Sequence, residues 1–281
     1  MVGVLSRCGP LIAGAAAPVV LLGLLPGLTG PGEDPPRTPV PAVSAAARHP
    51  QAWKARVLGT LPHDRTAFTQ GLEMHDGLLY EGTGLTGRSA VTAGPPGREP
   101  TRRVALDRAF FGEGITVTGD RLWQLTWRDG VAFERDATTL AERRRVAYRG
   151  EGWGLCARPG RLVMSDGSAT LVFRDPETFA PEGSVTVTED GRPLARLNEL
   201  ECAADGSVYA NVYLTDRIVR IDPATGEVTA TIDASELIAA AVARAEEAGV
   251  LNGIAEVPGT GEFLVTGKNW PLTFRVAFVP A

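Results

Sequence analysis

Phe68-Thr-Gln-Gly-Leu72 and Phe111-Gly-Glu-Gly-Ile115 are two copies of the short pattern that decides the fold. Each copy opens a cassette that consists of a polar or glycine-flanked turn, a short apolar strand, a turn rich in glycine or aspartate, and a second strand. Three further copies begin at Gly152-Trp-Gly-Leu155, Leu197-Asn-Glu-Leu200 and Leu251-Asn-Gly-Ile254. The chain is therefore built from one repeating unit.

The spacing of the cassettes identifies the architecture. Aligned on Gly71, Gly114, Gly154, Glu199 and Gly253, the copies follow one another at steps of 43, 40, 45 and 54 residues. Repeats of roughly 40–50 residues made of short strands are typical of propellers, in which each repeat forms one four-stranded sheet. We therefore predict an all-β fold, a five-bladed β-propeller. Because equivalent turns of a propeller converge on its axis, we expect the unlike polar residues of the five turns to meet there.

The longest step contains the one strong helix signal. Asp233 is a candidate N-cap with Glu236 three residues further on, and Leu237–Ala248 is rich in helix formers and ends at Gly249. We predict a single helix inserted between blades 4 and 5. Lys54-Ala-Arg-Val-Leu58 reads as a strand, which we expect to complete the last blade and close the ring.

Composition places the chain among ordinary globular proteins. It has 281 residues, 44% of them hydrophobic, and a formal net charge of −5 with acids and bases interspersed. All-β domains of this size are commonly single units. No basic patch with interleaved aromatic residues occurs, so we expect no nucleic-acid partner. We expect a monomer.

The amino terminus has the pattern of an export signal. Arg7 precedes an apolar stretch from Leu11 to Leu28 that Pro18 and Pro26 interrupt. We assign residues 1–30 to a signal peptide with cleavage as late as 47, residues 31–52 to a Pro/Ala-rich linker, and residues 53–281 to the propeller. The protein is then secreted or periplasmic. We expect the protein to contact a membrane only if the amino-terminal segment stays uncleaved and serves as an anchor.

Two cysteines remain after removal of that signal. Cys156 and Cys202 each follow directly on the inward turn of their repeats, the third and the fourth. Equivalent positions of neighbouring blades are close, and export permits a disulfide. The sequence leaves a disulfide and two buried free thiols equally open.

Several familiar site motifs are absent or incomplete. Gly82-Thr-Gly-Leu-Thr-Gly87 matches a dinucleotide-binding pattern, but the residues after it read as a strand rather than the helix that pyrophosphate binding requires. The three histidines, His49, His63 and His75, are scattered and lie away from the repeat tips. We therefore predict no cofactor and no catalytic metal.

The repeat tips carry an unusual set of side chains. It comprises aromatic rings, one carboxylate, two amides and one ammonium: Phe68, Gln70, Glu113, Trp127, Trp153, Asn198, Tyr213, Lys268 and Trp270. Such a set suits a small, mostly neutral ligand with amine and amide groups. Glu113 stands between two glycines, which let backbone approach closely, and confinement among aromatic rings raises a carboxyl pKa.

Each of these residues also has a structural interpretation. Glu113 can simply accept hydrogen bonds from loop N–H groups, and Lys268 can be a solvated charge or part of an ion pair. Asn198 can be a turn residue, and tryptophans of propellers often pack between blades. For Trp123, which lies on a strand, core packing is the preferred interpretation.

Many ordered motifs resemble one enzyme family. They include Phe68-Thr-Gln-Gly-Leu, Phe111-Gly-Glu-Gly-Ile-Thr, Gly150-Glu-Gly-Trp-Gly-Leu, Leu197-Asn-Glu-Leu-Glu and Val265-Thr-Gly-Lys-Asn-Trp-Pro. From about Val57 to Phe278 the chain resembles the plant and bacterial type of glutaminyl cyclases, the glutaminyl-peptide cyclotransferases that fold as five-bladed propellers. Tyr213 departs from the resemblance, since the family commonly has tryptophan there.

The resemblance implies that an amino-terminal glutamine of a peptide or protein becomes pyroglutamate and that ammonia leaves. Glu113 matches the catalytic glutamate of the family, and we expect it to act as general base and then general acid. Lys268 or the amide of Asn198 would polarise the carbonyl or hold the oxyanion. The matched positions Phe68, Gln70, Trp127 and Trp153, together with Tyr213 and Trp270, would bind the substrate.

Two other functions stay open at this point. A propeller can be a non-catalytic extracellular binding module, since the fold hosts many functions. It can also be a metal-dependent lactonase with a calcium ion on the axis, which would need a cage of carboxylates and amides. Ammonia release from a glutaminyl dipeptide separates the first from a cyclase, and metal analysis of the purified protein detects the second.

Overall fold

Short antiparallel strands build most of the described chain, which covers residues 49–281 of the computed structural model. The signal peptide assigned to residues 1–30 and most of the linker assigned to 31–52 lie outside the described residues. The first strand, β1 (Gln51–Pro62), begins two residues before the domain boundary that we placed at 53. It contains the predicted strand Lys54–Leu58.

Three four-stranded antiparallel sheets follow in chain order, each formed by consecutive strands. The first consists of β2 (Thr69–His75), β3 (Leu78–Thr83), β4 (Ala90–Gly94) and β5 (Arg102–Ala105). The second consists of β6 (Gly112–Thr118), β7 (Arg121–Thr126), β8 (Val131–Asp136) and β9 (Glu142–Ala147). The third consists of β10 (Leu155–Arg158), β11 (Arg161–Met164), β12 (Thr170–Arg174) and β13 (Pro181–Thr186).

The remaining strands form a small hairpin and one eight-stranded sheet. The hairpin pairs β14 (Thr188–Glu189) with β15 (Arg192–Pro193). The next four strands are β16 (Leu197–Cys202), β17 (Val208–Val212), β18 (Arg217–Ile221) and β19 (Val228–Asp233). The last three are β20 (Leu251–Val257), β21 (Glu262–Gly267) and β22 (Leu272–Pro280). The order in the large sheet is β16-β17-β18-β19-β1-β22-β21-β20.

Both ends of the described chain meet in this large sheet. β1 runs antiparallel to β22 from the Trp53–Pro280 pair to the Pro62–Leu272 pair. It also pairs in parallel with β19, from Gln51 opposite Ala230 onwards. The prediction that an amino-terminal strand completes the last repeat is confirmed.

The first strands of successive repeats pack against one another in a closed cycle. β2 contacts β6, β6 contacts β10, β10 contacts β16, β16 contacts β20, and β20 contacts β2 again. Glycines permit this approach, because a Cβ atom on Gly154 would lie 2.0 Å from the carbonyl oxygen of Asn198 in the neighbouring repeat. A Cβ atom on Gly114 would lie 2.6 Å from the carbonyl oxygen of Trp153. The turns that precede these strands are therefore brought together.

The apolar core lies between neighbouring sheets as a series of clusters. Ile115 and Leu122 pack with Tyr80 between the first and second sheets, and Trp123 and Phe179 pack between the second and third. Trp123 is fully buried, as its place on a strand predicted. Burial of these side chains supplies the main favourable free energy that holds the sheets together.

A disulfide joins two of the sheets covalently. Cys156 of β10 and Cys202 of β16 are bonded, and the two positions are 46 residues apart in the sequence. Of the two alternatives that the sequence left open, the structure has the disulfide.

The inserted helix is shorter than predicted. α1 (Ser235–Val242) lies between β19 and β20, as expected, but it ends six residues before Ala248. After Val242 the chain continues in turns, in which Arg244 donates its N–H to the carbonyl oxygen of Ala241 and Ala248 donates to that of Ala245, both at 3.0 Å. Gly249 then donates its N–H to the carbonyl oxygen of Lys268 at 2.7 Å, and the chain enters β20. The predicted N-cap is also wrong: Ala234 occupies that position, while Asp233 ends β19 and accepts the N–H of Ser235 at 2.9 Å. Within residues 49–281 no helix has the length and apolar character needed to cross a bilayer.

Candidate active site

The converging turns and nearby loops enclose a cavity of about 230 Å³. Its lining combines five aromatic rings with a carboxylate, two amides and an ammonium: Phe68, Gln70, Phe111, Glu113, Trp127, Trp153, Asn198, Tyr213 and Lys268. The structure thus brings eight of the nine predicted site residues to one place. A larger cleft of about 610 Å³ shares Phe68 with it but is lined mainly by loop residues at the outer side of the first sheet. The smaller cavity is the better candidate, because it combines a buried carboxyl group and a buried ammonium group with walls of aromatic rings.

Glu113 is held by a chain of amide hydrogen bonds that crosses three repeats. Its side chain is buried on β6, and Gln70 of β2 donates from Nε2 to its Oε1 at 2.9 Å. Asn252 of β20 donates from Nδ2 to Oε1 of Gln70 at 3.2 Å and to the carbonyl oxygen of Thr69 at 3.0 Å. Because Asn252 occupies the amide oxygen of Gln70, the amide nitrogen of Gln70 must face the carboxyl group.

The protonation of Glu113 is set by burial. Loss of water around the carboxyl group raises its pKa well above the usual range. The positive charge of Lys268 opposes this shift, and the negative charge of Glu151 adds to it. A carboxyl group with a raised pKa holds a proton more readily than an exposed one, which suits a group that must accept a proton and return it in general acid–base catalysis.

Lys268 points its ammonium group into the same cavity. It lies in the turn between β21 and β22, with Nζ 4.6 Å from the ring centre of Phe68 and 5.3 Å from that of Tyr213. It takes part in none of the ion pairs found among residues 49–281. Burial lowers its pKa to about 8, although the charge of Glu113 raises it in part. The ammonium group therefore lies against two ring faces without a salt-bridge partner among residues 49–281, and it can meet a developing negative charge.

Main-chain contacts fix the turn that carries Lys268. The N–H of Lys268 donates to the carbonyl oxygen of Val250 at 2.9 Å, and the N–H of Asn269 donates to that of Ala67 at 2.7 Å. His63 contacts the carbonyl oxygen of Trp270 through Nδ1 at 2.7 Å and Glu81 through Nε2 at 3.0 Å. These bonds tie the turn of the last repeat to the first one.

Aromatic rings form the walls of the cavity. Phe111 packs between the rings of Phe68 and Trp127, with ring centres 6.3 and 5.5 Å apart, respectively. Trp153 meets Tyr213 edge to face at 5.5 Å. These contacts place apolar surface around the acid and the ammonium group and keep water away from them.

Asn198 contributes an unsatisfied polar atom. Its side chain is buried, and Oδ1 has no hydrogen-bond partner in the described part of the chain. The main-chain carbonyl oxygen of Asn198, in contrast, accepts a hydrogen bond from the hydroxyl group of Ser165 at 2.6 Å. A buried acceptor without a partner costs free energy until an N–H donor reaches it.

Trp270 is the predicted site residue that the structure places elsewhere. Its ring is fully buried in the core, packs edge to face against Phe274, and donates from Nε1 to the carbonyl oxygen of Gly249 at 2.8 Å. The left-handed conformation of Asn269, with φ of 60°, reverses the chain between Lys268 and Trp270. The ring therefore packs over Gly267, where a Cβ atom would lie 2.3 Å from it, and does not reach the cavity.

Two further residues of the site were not among the predicted set. Phe111 lines the cavity, and its position three residues before Gly114 matches that of Phe68 before Gly71, so the repeat alignment could have identified it. Asn252 donates a hydrogen bond to the side chain of Gln70, which in turn contacts Glu113. Its position in the turn of the fifth repeat could have identified it. Among the described residues, no group of three or more His, Cys, Asp or Glu side chains is placed to hold a metal ion.

Comparisons with known proteins identify the family. A sequence model described as glutamine cyclotransferase matches residues 37–278. The chain is 35% identical over 231 residues to a glutaminyl-peptide cyclotransferase of Arabidopsis thaliana. The aligned region covers 78% of this chain and 70% of the Arabidopsis protein. The crystal structure of Myxococcus xanthus glutaminyl cyclase superposes with a TM-score of 0.77 at 39% identity, and the match covers 83% of this chain and all of the other. The chain belongs to the glutamine cyclotransferase family.

Proposed function

We propose that this protein converts an amino-terminal glutamine of peptides or proteins into pyroglutamate and releases ammonia. Membership of the glutamine cyclotransferase family supports the reaction. The observation that carries the proposal is the meeting of buried Glu113 and Lys268 in one aromatic-lined cavity. These are the two groups that the reaction needs, since the substrate itself supplies the nucleophile.

The first task of the site is to fold the substrate. The α-amino nitrogen of the substrate must approach the δ-carbonyl carbon of its own side chain, and an extended glutamine side chain keeps them apart. Aromatic walls such as Trp127 and Trp153 hold the apolar part of the side chain, and the free acceptor of Asn198 takes an N–H of the substrate. Holding the reacting atoms in a near-attack geometry removes a large entropic part of the barrier.

Glu113 transfers the proton. Attack forms the bond between the α-nitrogen and the δ-carbon and leaves an excess proton on that nitrogen. Glu113 accepts this proton and delivers it to the amide nitrogen of the side chain, the bond between carbon and that nitrogen breaks, and ammonia departs. The amide of Gln70, which donates to Glu113 at 2.9 Å, steadies the carboxyl group in both protonation states.

Lys268 stabilises the intermediate. The carbonyl oxygen becomes negative when the tetrahedral intermediate forms, and the unpaired ammonium group of Lys268 is the cation that faces the cavity. In a buried site such a preorganised charge is worth more than in water.

An assay on the full chain tests the reaction. We expect purified protein to release ammonia from glutaminyl dipeptides and to leave a product with pyroglutamate at its amino terminus, identified by mass spectrometry. A dipeptide that begins with asparagine is the matched control, because its shorter side chain cannot close a five-membered ring. Absence of product from the glutaminyl dipeptide, with the protein folded, would contradict the proposed function and favour a binding module.

We infer that the chemistry uses no metal ion. The mechanism assigns the acid, base and cationic roles to Glu113 and Lys268. Turnover is expected to survive dialysis against a chelator, provided that circular dichroism shows the fold intact. Loss of turnover in a folded, chelated sample, with recovery on addition of a metal ion, would refute this inference.

We infer that the fold is a propeller of five blades. Three four-stranded sheets account for three blades, and the eight-stranded sheet divides at the parallel junction of β19 with β1 into two more. The closed cycle of contacts among the five first strands supports this count. An experimental structure with a different number of sheets around the axis would refute it.

We also infer that the protein is exported and acts as a monomer. A disulfide between Cys156 and Cys202 suits an oxidising compartment. Large hydrophobic side chains exposed within residues 49–281 are few: Val57, Leu58, Leu214 and Val242. Cell fractionation and the intact mass of the recovered protein test export and the retention of a membrane anchor, and light scattering tests the oligomeric state. Recovery of reduced protein from the cytoplasm, or of a stable dimer, would contradict these inferences.

A further inference from the structure

One carboxylate outside the reacting set contacts both indole rings of the cavity. Oε2 of Glu151 accepts the Nε1–H of Trp127 at 2.8 Å and the Nε1–H of Trp153 at 3.0 Å. Glu151 lies in the loop between β9 and β10, and Trp127 lies in the loop between β7 and β8. A single oxygen atom thus links a wall residue of the second repeat to one of the third.

The other oxygen of the same carboxylate is also fixed. Oε1 of Glu151 accepts the Nε–H of Arg128 at 2.9 Å, and the guanidinium group of Arg128 lies 3.8 Å from the ring centre of Trp127. The Trp127 ring is therefore held at its edge by the carboxylate and on its face by the cation. The three donors are the reason why the pKa of Glu151 is lowered, with the indole of Trp153 as the largest cause.

Main-chain bonds position the backbone of the two tryptophans but not their rings. The N–H of Trp127 donates to the carbonyl oxygen of Phe111 at 3.0 Å, and the N–H of Trp153 donates to that of Ser165 at 3.0 Å. Each indole N–H has Glu151 as its one hydrogen-bond partner among the described residues. Gly167 leaves room for the ring of Trp153, because a Cβ atom on it would lie 2.6 Å from that ring. The carboxylate therefore fixes the polar edge of both rings, while Phe111 packs against the ring of Trp127 and Tyr213 against that of Trp153.

We propose that Glu151 is a positioning residue of the active site, which holds the indole rings of Trp127 and Trp153 in the orientation that lines the substrate cavity. The proposal rests on the proposed function, since it assigns these rings to the walls around the substrate glutamine. The carboxylate is specifically required. A glutamine at this position would turn a donor toward Arg128 or toward the indoles, so that it could not satisfy all three N–H groups.

Glu151 also acts on Glu113 at a distance. Its negative charge is among the causes that raise the pKa of Glu113. The limb of the kcat/KM profile that the free substrate amine sets is not expected to move, but replacement by a neutral residue should lower the pKa of Glu113 and move the acidic limb of the kcat profile to lower pH. A role confined to loop stability would leave that limb in place.

The first experiment observes the rings without substrate. The chain has five tryptophans, so a nitrogen-15 spectrum contains five indole N–H signals, and Trp127→Phe and Trp153→Phe assign two of them. We expect Glu151→Gln to move both assigned signals upfield and to hasten their exchange with water. Asp129→Asn is the matched control, because it removes an exposed negative charge from the same loop as Trp127. Unmoved signals in Glu151→Gln would overturn the proposal whether or not the protein is a cyclase.

The second experiment measures turnover of a glutaminyl dipeptide. Because the walls hold substrate and transition state alike, Glu151→Gln should raise KM roughly 3- to 10-fold and change kcat less than about twofold at the pH optimum. The same substitution in a Trp127→Phe/Trp153→Phe background should change KM by less than about 1.5-fold, because the N–H donors are already gone. An undiminished effect in that background would overturn the proposal. Absence of turnover in the unaltered protein would instead defeat the proposed function and leave the spectral test decisive.

Discussion

Replacement of Lys268 by methionine separates the electrostatic role of this residue from its packing role. Methionine keeps an apolar chain of similar length beside Phe68 and Tyr213 and removes the ammonium group. In the folded protein that group is buried and lies 4.6 Å from the ring centre of Phe68. The variant therefore loses one buried charge and little contact area.

The expected effect on turnover is large. A single preorganised donor at a developing oxyanion contributes roughly 10²- to 10³-fold to kcat. We expect Lys268→Met to lower kcat by about that factor and to change KM much less, because the charge is needed when the carbonyl oxygen becomes negative.

The expected effect on stability has the opposite sign. The pKa of Lys268 falls from 10.5 to about 8 on folding, so the unfolded chain binds more protons between these pH values. The free energy of unfolding of the unaltered protein should then increase from pH 8 to 10.5 by up to about 3 kcal/mol from this group. Lys268→Met lacks the increase. At pH 7 it escapes the burial cost but loses about 1–2 kcal/mol of cation–π attraction, so it should be as stable as the unaltered protein or slightly more stable.

Ammonia release from a glutaminyl dipeptide and urea unfolding at pH 7 and pH 9.5 measure both effects. The chain offers one other lysine, Lys54, which is exposed on β1, so Lys54→Met is the matched control and should be unaffected in both assays. A Lys268→Met variant that retains more than about a third of the original kcat would refute the oxyanion role. We expect the buried charge to serve turnover and not to stabilise the fold. A decrease of more than about 2 kcal/mol in the free energy of unfolding of Lys268→Met at pH 7 would refute this.

Three further results are expected. The value of kcat/KM for a glutaminyl dipeptide should rise from pH 6 toward pH 8, because the substrate amine, with a pKa near 8, loses its proton. Above pH 8 it should fall, because Lys268, whose pKa is about 8, loses its charge. A profile that declines steadily from pH 6 would contradict this. Replacement of Cys156 and Cys202 by alanine should lower the free energy of unfolding by roughly 2–4 kcal/mol in denaturant titrations, because a 46-residue separation is no longer closed in the unfolded chain; unchanged stability would argue against the bond. Gly154→Ala should destabilise by more than about 3 kcal/mol or prevent folding, because its Cβ atom would lie 2.0 Å from the carbonyl oxygen of Asn198; a thermal midpoint equal to that of the unaltered protein would show that the repeats can separate.

The sequence predicts which side chains lie together where those side chains belong to the repeat turns. Glu113 and Gln70 occupy equivalent turns, and the first strands that follow these turns pack in a closed cycle, so the side chains meet as the symmetry requires. Phe111 belongs to the same equivalence, and a stricter comparison with Phe68 would have placed it in the wall.

Prediction failed where local geometry overrides sequence proximity. Trp270 is two residues from Lys268, but a single left-handed residue, Asn269, sends the two side chains to different places. Asparagine is one of the few residues other than glycine that adopt this conformation readily, but its presence alone does not predict that the chain reverses there. The helix after Asp233 also ends earlier than predicted, at Val242, and the alanine-rich residues that follow form turns. Helix propensity is a weak guide where the surrounding fold decides the path of the chain.

The turnover number of Glu113→Gln tests the central claim most directly. The substitution keeps the size of the side chain, and the donor bond from Gln70 can persist to the new amide oxygen, so the variant should fold normally. We predict a decrease of kcat by roughly 10²- to 10⁴-fold with little change in KM, while Glu182→Gln on the outer strand β13 leaves both unchanged. A folded Glu113→Gln protein that cyclises glutaminyl dipeptides at a rate within threefold of the unaltered enzyme would contradict the assignment of proton transfer to Glu113.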